Sequence, residues 1–301
     1  MTSETVDIRL HEGMTSISRR VADFLLLTKP RIVVMVLMTT SAGFYLGAWG
    51  NPDYTVLFQT LIGTALAAGG ALALNQFLER DVDARMERTK LRPLPDGRLQ
   101  PVEAVIFGIT IVLIGLLYLT FVINRLSGFV TATIVGTYLF LYTPLKRKTP
   151  LCSFVGAIPG ALPPVIGWAA VRGNLDIGAL ILFAMMFLWQ IPHSLSIAWL
   201  YRKDYARADF RLLPVVEPDG RSTGRQVVTN CLALLVVGLM PTLIGLAGSI
   251  YFFMALVLGI ALLGYGIGLA VSRSEIAARR LFFVSLIYLP AQFITMVLDR
   301  V

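Results

Sequence analysis

Long apolar runs alternate with short polar gaps along this chain. About nine of the runs are long enough to cross a bilayer, which takes about 20 residues each. They fall near residues 31–50, 55–78, 102–122, 126–143, 151–171, 177–200, 227–247, 250–271 and 280–298. The pattern predicts an all-α fold, a polytopic membrane helical bundle of about nine transmembrane helices around a central cavity. Two gaps are longer than the rest, 79–101 and 201–226, and each follows an even-numbered run. That layout predicts two polar cytoplasmic loops capping one cavity, as in membrane proteins built from internal repeats, although no sequence period aligns. Residues 1–30 read as a polar N-terminal segment in the cytoplasm, and 31–298 as a single transmembrane domain.

Composition removes the soluble alternative. Of 301 residues, 56% are hydrophobic and 15% charged, with a mean hydropathy of +0.74, too much apolar surface for one soluble core. The net charge of +8 would suggest a nucleic-acid partner in a soluble protein. Its placement excludes that reading. Of the 26 Lys and Arg residues, 23 lie in one alternating set of gaps, leaving Arg125, Arg172 and Arg300 for the other. The positive-inside rule then puts the N-terminus in the cytoplasm and the C-terminus outside. Glu4, Asp7 and Glu12 argue against a transit peptide, and no early apolar core precedes a cleavage site, so a bacterial cytoplasmic (inner) membrane start is expected. Ser16 to Leu27 reads either as a short helix on the membrane surface or as a direct lead into the first span. Cys152 and Cys231 lie in apolar runs without metal-ligand spacing and read as small core residues.

The gap that carries chemistry is NQFLERDVDARMERTKLRPLP, residues 75–95. Charge beside a span is costly and calls for a reason. Asn75, Glu79 and Asp83 recur at steps of four, so on a continuing helix each turns by only ~40° and the three share a face. Such a face is an oxygen-rich metal site in outline: magnesium takes one or two carboxylates and completes its shell with substrate phosphate and water. Arg85, Arg88, Lys90 and Arg92 follow as candidate diphosphate partners, Arg being suited to bidentate oxygen recognition. Asp81, off the metal face, is expected to pair with Arg85 at i+4. A plain helix end with surface ion pairs is the competing reading.

Further blocks follow. Tyr142 to Lys148 closes the fourth span with a proline turn and three bases, where Lys146 and Arg147 reach either a diphosphate or an anionic lipid. Gly156, Gly160, Pro163, Pro164 and Gly167 predict a broken fifth span, through close packing or to make room for a flat ligand. His193, in the string Trp189 to His193, is the one histidine in the apolar body, and a lone histidine is more often a hydrogen-bonded structural residue. Tyr201, Lys203, Asp204 and Tyr205 form the second polar loop, with Arg207 and Asp209 behind.

The N-x-x-x-E-x-x-x-D run with its M-E-R-T-K-x-R-P-L continuation resembles the first signature of the UbiA-type intramembrane prenyltransferases, more narrowly their haem O synthase (protohaem IX farnesyltransferase) branch. The likeness extends through YTPLKR at 142–147, GAIPGALPPVIGW at 156–168, WQIPH at 189–193, KDY at 203–205 and LPVV at 213–216. The resemblance implies farnesyl diphosphate and haem b as substrates, with Mg2+ on Asn75, Glu79 and Asp83. It implies catalytic roles for those three with Arg88, Arg92 and Lys146, and diphosphate binding by Arg85, Arg88, Lys90, Arg92, Lys146 and Arg147. Contact with haem would fall to His193, as axial ligand, propionate partner or proton carrier, or to Tyr201, Lys203, Asp204 and Tyr205. The second loop lacks the aspartate-rich motif of the quinone-pathway relatives, which favours the haem branch. An association with the enzyme that makes haem A is a further implication. The rivals are a prenyltransferase acting on a quinone precursor such as 4-hydroxybenzoate, a secondary transporter and a haem chaperone. A transporter would carry its charges near the midplane, whereas these sit at one edge.

Overall fold

A computed structural model describes residues 16–48 and 50–301. The segment before residue 16, with Glu4, Asp7, Arg9 and Glu12, lies outside the described residues. Among those described, every regular element is helical, and nine helices are long and apolar enough to cross a membrane. They run Pro30–Gly47, Tyr54–Asp83, Pro101–Ile123, Arg125–Leu145, Cys152–Arg172, Ile177–Leu200, Arg221–Leu243, Ser249–Ser272 and Glu275–Leu298. Their outer faces present Phe121, Phe129, Phe140, Phe253 and Val271 to the surroundings. A water-facing surface of this kind would be unfavourable, and the chain is a multi-pass membrane protein.

Two spans start earlier than their hydropathy predicts. The seventh opens at Arg221 rather than near 227, and the ninth at Glu275 rather than near 280. Arg225, Arg279 and Arg280 thus lie on helix, where long basic side chains keep their heads in the polar boundary layer while the backbone continues inward. The seventh also ends early, at Leu243, before the turn at Gly245 (φ 72°).

Ser16–Leu27 is a separate helix. It stops at Thr28–Lys29, where Lys29 adopts a left-handed conformation and Pro30 opens the first span. The amide of Gln76 donates to the carbonyls of Leu26 and Leu27 at 3.2 and 2.8 Å, satisfying acceptors that a helix end leaves open. An ion pair between buried Asp23 and Arg98, and a small core of Leu27, Ala73, Leu94, Leu99 and Ala104, hold this helix against the first polar loop.

The fifth span breaks at Leu162, between Cys152–Ala161 and Pro163–Arg172, as its glycines and prolines predict. Pro163 and Pro164 have no N–H to continue the ladder. Close packing exploits the break: a Cβ on Gly43 would sit 1.9 Å from the Pro164 carbonyl oxygen, and one on Gly167 2.0 Å from that of Thr40. The first and fifth spans therefore touch backbone to backbone.

Hydropathy gives no sign of the π-helical turns at Leu119–Ile123 and Thr137–Tyr142. The second turn is locked by Thr143, whose hydroxyl donates to the carbonyl of Tyr138 at 2.8 Å, and it re-aims the end of the fourth span.

Candidate active site

The second span continues as helix through Asp83, which places Asn75, Glu79 and Asp83 on one face, as their spacing predicts. All three are buried, at 1%, 6% and 1% exposure. Each has a partner from elsewhere in the chain. Asn75 accepts at Oδ1 from Lys29 Nζ (3.2 Å) and donates from Nδ2 to the Thr143 hydroxyl (3.1 Å). Glu79 takes Lys146 Nζ at 2.8 Å, and Asp83 takes Arg92 Nη1 at 2.6 Å. The Thr89 hydroxyl donates to the Asp83 carbonyl at 2.8 Å and ties the following turn to the helix end.

Electrostatics explains why the pairs exist. A buried carboxylate without a partner costs several kcal/mol, so two of them four residues apart require cations. Lys146 and Arg92 meet that requirement, and Lys29 adds a third basic group. Burial, with the Arg92 charge next, pushes Lys29 down to about 7. The cluster is thus close to neutral as it stands. A magnesium diphosphate carries a net negative charge, which an ionised Lys29 would balance.

The two polar loops meet over this cluster. Val82 and Met86 beside the first share a small apolar core with Ala208, Phe210 and Leu212 of the second. The Arg211 N–H donates to the Lys146 carbonyl at 2.8 Å. Arg88 lies over the rings of Tyr201 (5.2 Å) and Tyr205 (5.7 Å) and donates to the Tyr205 hydroxyl at 3.3 Å. Lys146 lies 4.5 Å from the Tyr142 ring centroid, and Tyr142 stacks on Tyr138 at 5.8 Å.

Not every predicted residue joins the cluster. Asp81 does not pair with Arg85. The helix ends at Asp83, so the i+4 spacing no longer measures one turn; Asp81 lies 3.5 Å from Arg80, and Arg85 crosses to Asp209 at 2.8 Å. Lys90 pairs with Glu87, while Arg147 and Lys203 are exposed. Asp204 pairs with Arg207 at 3.3 Å. His193 lies against the ninth span, on Ser285 and Phe282, apart from the tyrosines of the second loop that share its predicted role. Spacing missed Lys29 and Thr143. Their only signals are the Lys-Pro step opening the first span and the threonine after the π turn, neither specific without a fold.

The donor set suits magnesium: two carboxylates and one amide oxygen on one face, with room in the shell for phosphate and water. No group of three or more His, Cys, Asp or Glu side chains gathers among the described residues, so a site without substrate oxygens would be incomplete.

Comparison with known proteins gives the family. The model of the UbiA prenyltransferase family matches residues 36–287. A protoheme IX farnesyltransferase of Solibacter usitatus is 46% identical over 92% of this chain and 98% of its own length. One from Koribacter versatilis is 43% identical over 96% and 95%. Among solved structures, a digeranylgeranylglyceryl phosphate synthase superposes with a TM-score of 0.80 at 14% identity, covering 93% of this chain and 98% of that one. A UbiA homologue from Archaeoglobus fulgidus bound to GPP and Mg2+ superposes with a TM-score of 0.65 at 17% identity, covering 91% and 99%. With a family model over most of its length, and relatives of one name at 43–46% identity, the chain belongs to the UbiA prenyltransferase family, in its protohaem IX farnesyltransferase branch.

Proposed function

We propose that this protein transfers the farnesyl group of farnesyl diphosphate to a vinyl group of haem b, with addition of water, giving haem O and diphosphate. The observation that carries the reading is the buried Asn75, Glu79 and Asp83 face, matched by Lys29, Lys146 and Arg92, in a chain whose relatives bear the name protoheme IX farnesyltransferase.

Asn75, Glu79 and Asp83 would hold Mg2+, as the GPP- and Mg2+-bound Archaeoglobus homologue encourages. When bound, the ion supplies neutralising charge for the leaving diphosphate. Arg92 and Lys146, released from the carboxylates, turn to phosphate oxygens, and Lys29 gains its proton beside the new anion. Arg88, oriented by Tyr201 and Tyr205, closes the site from above. These fixed charges act where water is largely excluded, so they stabilise the departing diphosphate more strongly than the same groups in solvent. Arg85, Lys90 and Arg147 contribute a diffuse positive field.

The positive loops support an orientation with this end of the bundle in the cytoplasm and the C-terminus outside, and a bacterial inner membrane is part of the same proposal. Residues 1–30 then form a cytoplasmic segment and 31–298 one prenyltransferase unit. Incubating the purified chain with labelled farnesyl diphosphate, Mg2+ and either haem b or 4-hydroxybenzoate tests the reading. Label in haem, with the mass gain of farnesyl plus water, supports it; label in the phenol supports the quinone-pathway alternative.

A further inference from the structure

The sixth and ninth spans enclose one imidazole. The His193 ring lies nearly parallel to Trp189, centroids 4.6 Å apart and planes 17° apart, and against Phe282 on its other contact, at 5.3 Å and 29°. Its Nδ1 is 2.8 Å from Ser285 Oγ. Ser285 is fully buried, and its hydroxyl donates to the carbonyl of Phe282 at 2.7 Å. A serine hydroxyl has one proton, so with that proton engaged Oγ can only accept from the ring. The hydrogen of the neutral imidazole therefore sits on Nδ1, and the lone pair sits on Nε2. Trp189 Nε1 donates to the Ser285 carbonyl at 2.9 Å and holds the arrangement together. No described residue bonds to Nε2.

Depth gives this lone pair a context. His193 stands seven residues before the end of the sixth span at Leu200, ~10 Å along the axis at 1.5 Å per residue. Asn75 stands eight residues before the end of the second at Asp83, ~12 Å by the same measure. Both spans end under the shelf where Tyr201 and Tyr205 cover Arg88. His193 thus stands about as far from the end of its helix as Asn75 does from the end of its own, within the apolar body.

We propose that Nε2 of His193 is the base that accepts the proton of the added water, and that Ser285 is the positioning residue that fixes its tautomer. The assignment rests on the function proposed above. In the transfer step the terminal vinyl carbon of haem bonds to farnesyl C1 while the C1–O bond breaks and diphosphate leaves with its electron pair. The cation remains on the vinyl carbon joined to the pyrrole. Water oxygen bonds to that carbon as one of its protons passes to Nε2, leaving a hydroxyl group and an imidazolium that later returns the proton to solvent. Without the base, the same cation loses a carbon-bound proton and leaves an alkene, one water lighter.

Product partition is therefore the readout, since a merely structural role does not move it. Full-length protein in detergent, supplied with haem b, farnesyl diphosphate and Mg2+, is followed by mass spectrometry of the haems. His193→Gln is expected to lower the hydroxylated product about 100-fold and to raise the anhydro fraction. Ser285→Ala should shift the ratio the same way by about fivefold, the size of a lost neutral hydrogen bond, and Ser285→Thr should restore it. If His193→Gln fails to accumulate, the Ser285 pair carries the test. Wild-type protein forming haem O, with both variants keeping the wild-type ratio, overturns the assignment. So does a haem absorption spectrum that changes in His193→Gln while the ratio does not, which would mark Nε2 as an iron ligand. Wild-type protein forming no prenylated haem removes the underlying function instead.

Discussion

The two polar loops meet at one end of the bundle, yet their charges are arranged in opposite ways. At the first, Glu79 and Asp83 are buried on the helix, and each is matched by a cation brought from elsewhere, Lys146 from just past the fourth span and Arg92 from beyond the turn. At the second, Asp209 is 68% exposed and meets Arg85, itself 52% exposed, while Asp204 pairs with its own neighbour Arg207. The second loop contributes aromatic cover instead, through Tyr201 and Tyr205 on Arg88. A buried carboxylate must be compensated in every state, by a basic side chain or by a bound metal ion, so its chemistry is strong. Surface pairs are screened and contribute little. On the proposed function, ligand chemistry belongs to the first loop and closure to the second.

Swapping charge for amide on each side tests that division, and the largest effect is expected there. Asp83→Asn should lower farnesyl transfer about 10³-fold, with normal membrane insertion. Asp209→Asn should keep it within about threefold. Comparable losses in the two would erase the contrast.

Next in size is a stability effect. Lys146→Met leaves Glu79 buried without its cation and should destabilise the protein by about 3–5 kcal/mol, read as a lower unfolding midpoint in detergent. Adding Glu79→Gln should recover most of that stability but none of the activity. A midpoint unmoved by Lys146→Met would mean that Glu79 does not depend on this partner.

Arg88→Lys keeps the charge but loses the flat contact with two tyrosines and the bond to Tyr205. The KM for farnesyl diphosphate should rise about tenfold, with kcat less affected. An unchanged KM would detach the second loop from the substrate. Smallest of all, Arg85→Ala should change stability by at most about 1 kcal/mol, checked by the same unfolding midpoint.

Much of this end was legible before the fold. The steps of four from Asn75 to Asp83 survive because the second span runs on as a regular helix through the boundary. The expected Asp81–Arg85 pair fails at the residue where that helix stops, since sequence spacing measures distance only inside an element. Arg221 and Glu275 misled the span boundaries because hydropathy treats a charged helical turn at the membrane edge as loop. Lys29 and Thr143 join Asn75 from 46 and 68 residues away, through tertiary contact and a π turn that no local pattern encodes. The Ser285 contact that fixes the tautomer of His193 is equally nonlocal, 92 residues along the chain.

On the proposed function, the buried face of the second span governs farnesyl transfer to haem b. Mass spectrometry of haems from membranes carrying either this chain or its Asp83→Asn variant, supplied with deuterated farnesyl diphosphate, tests it most directly. Haem heavier by the labelled farnesyl group and one water is expected from the chain, and unmodified haem b from the variant at equal protein level. Labelled haem in equal amount from both, or label in another acceptor alone, would contradict it.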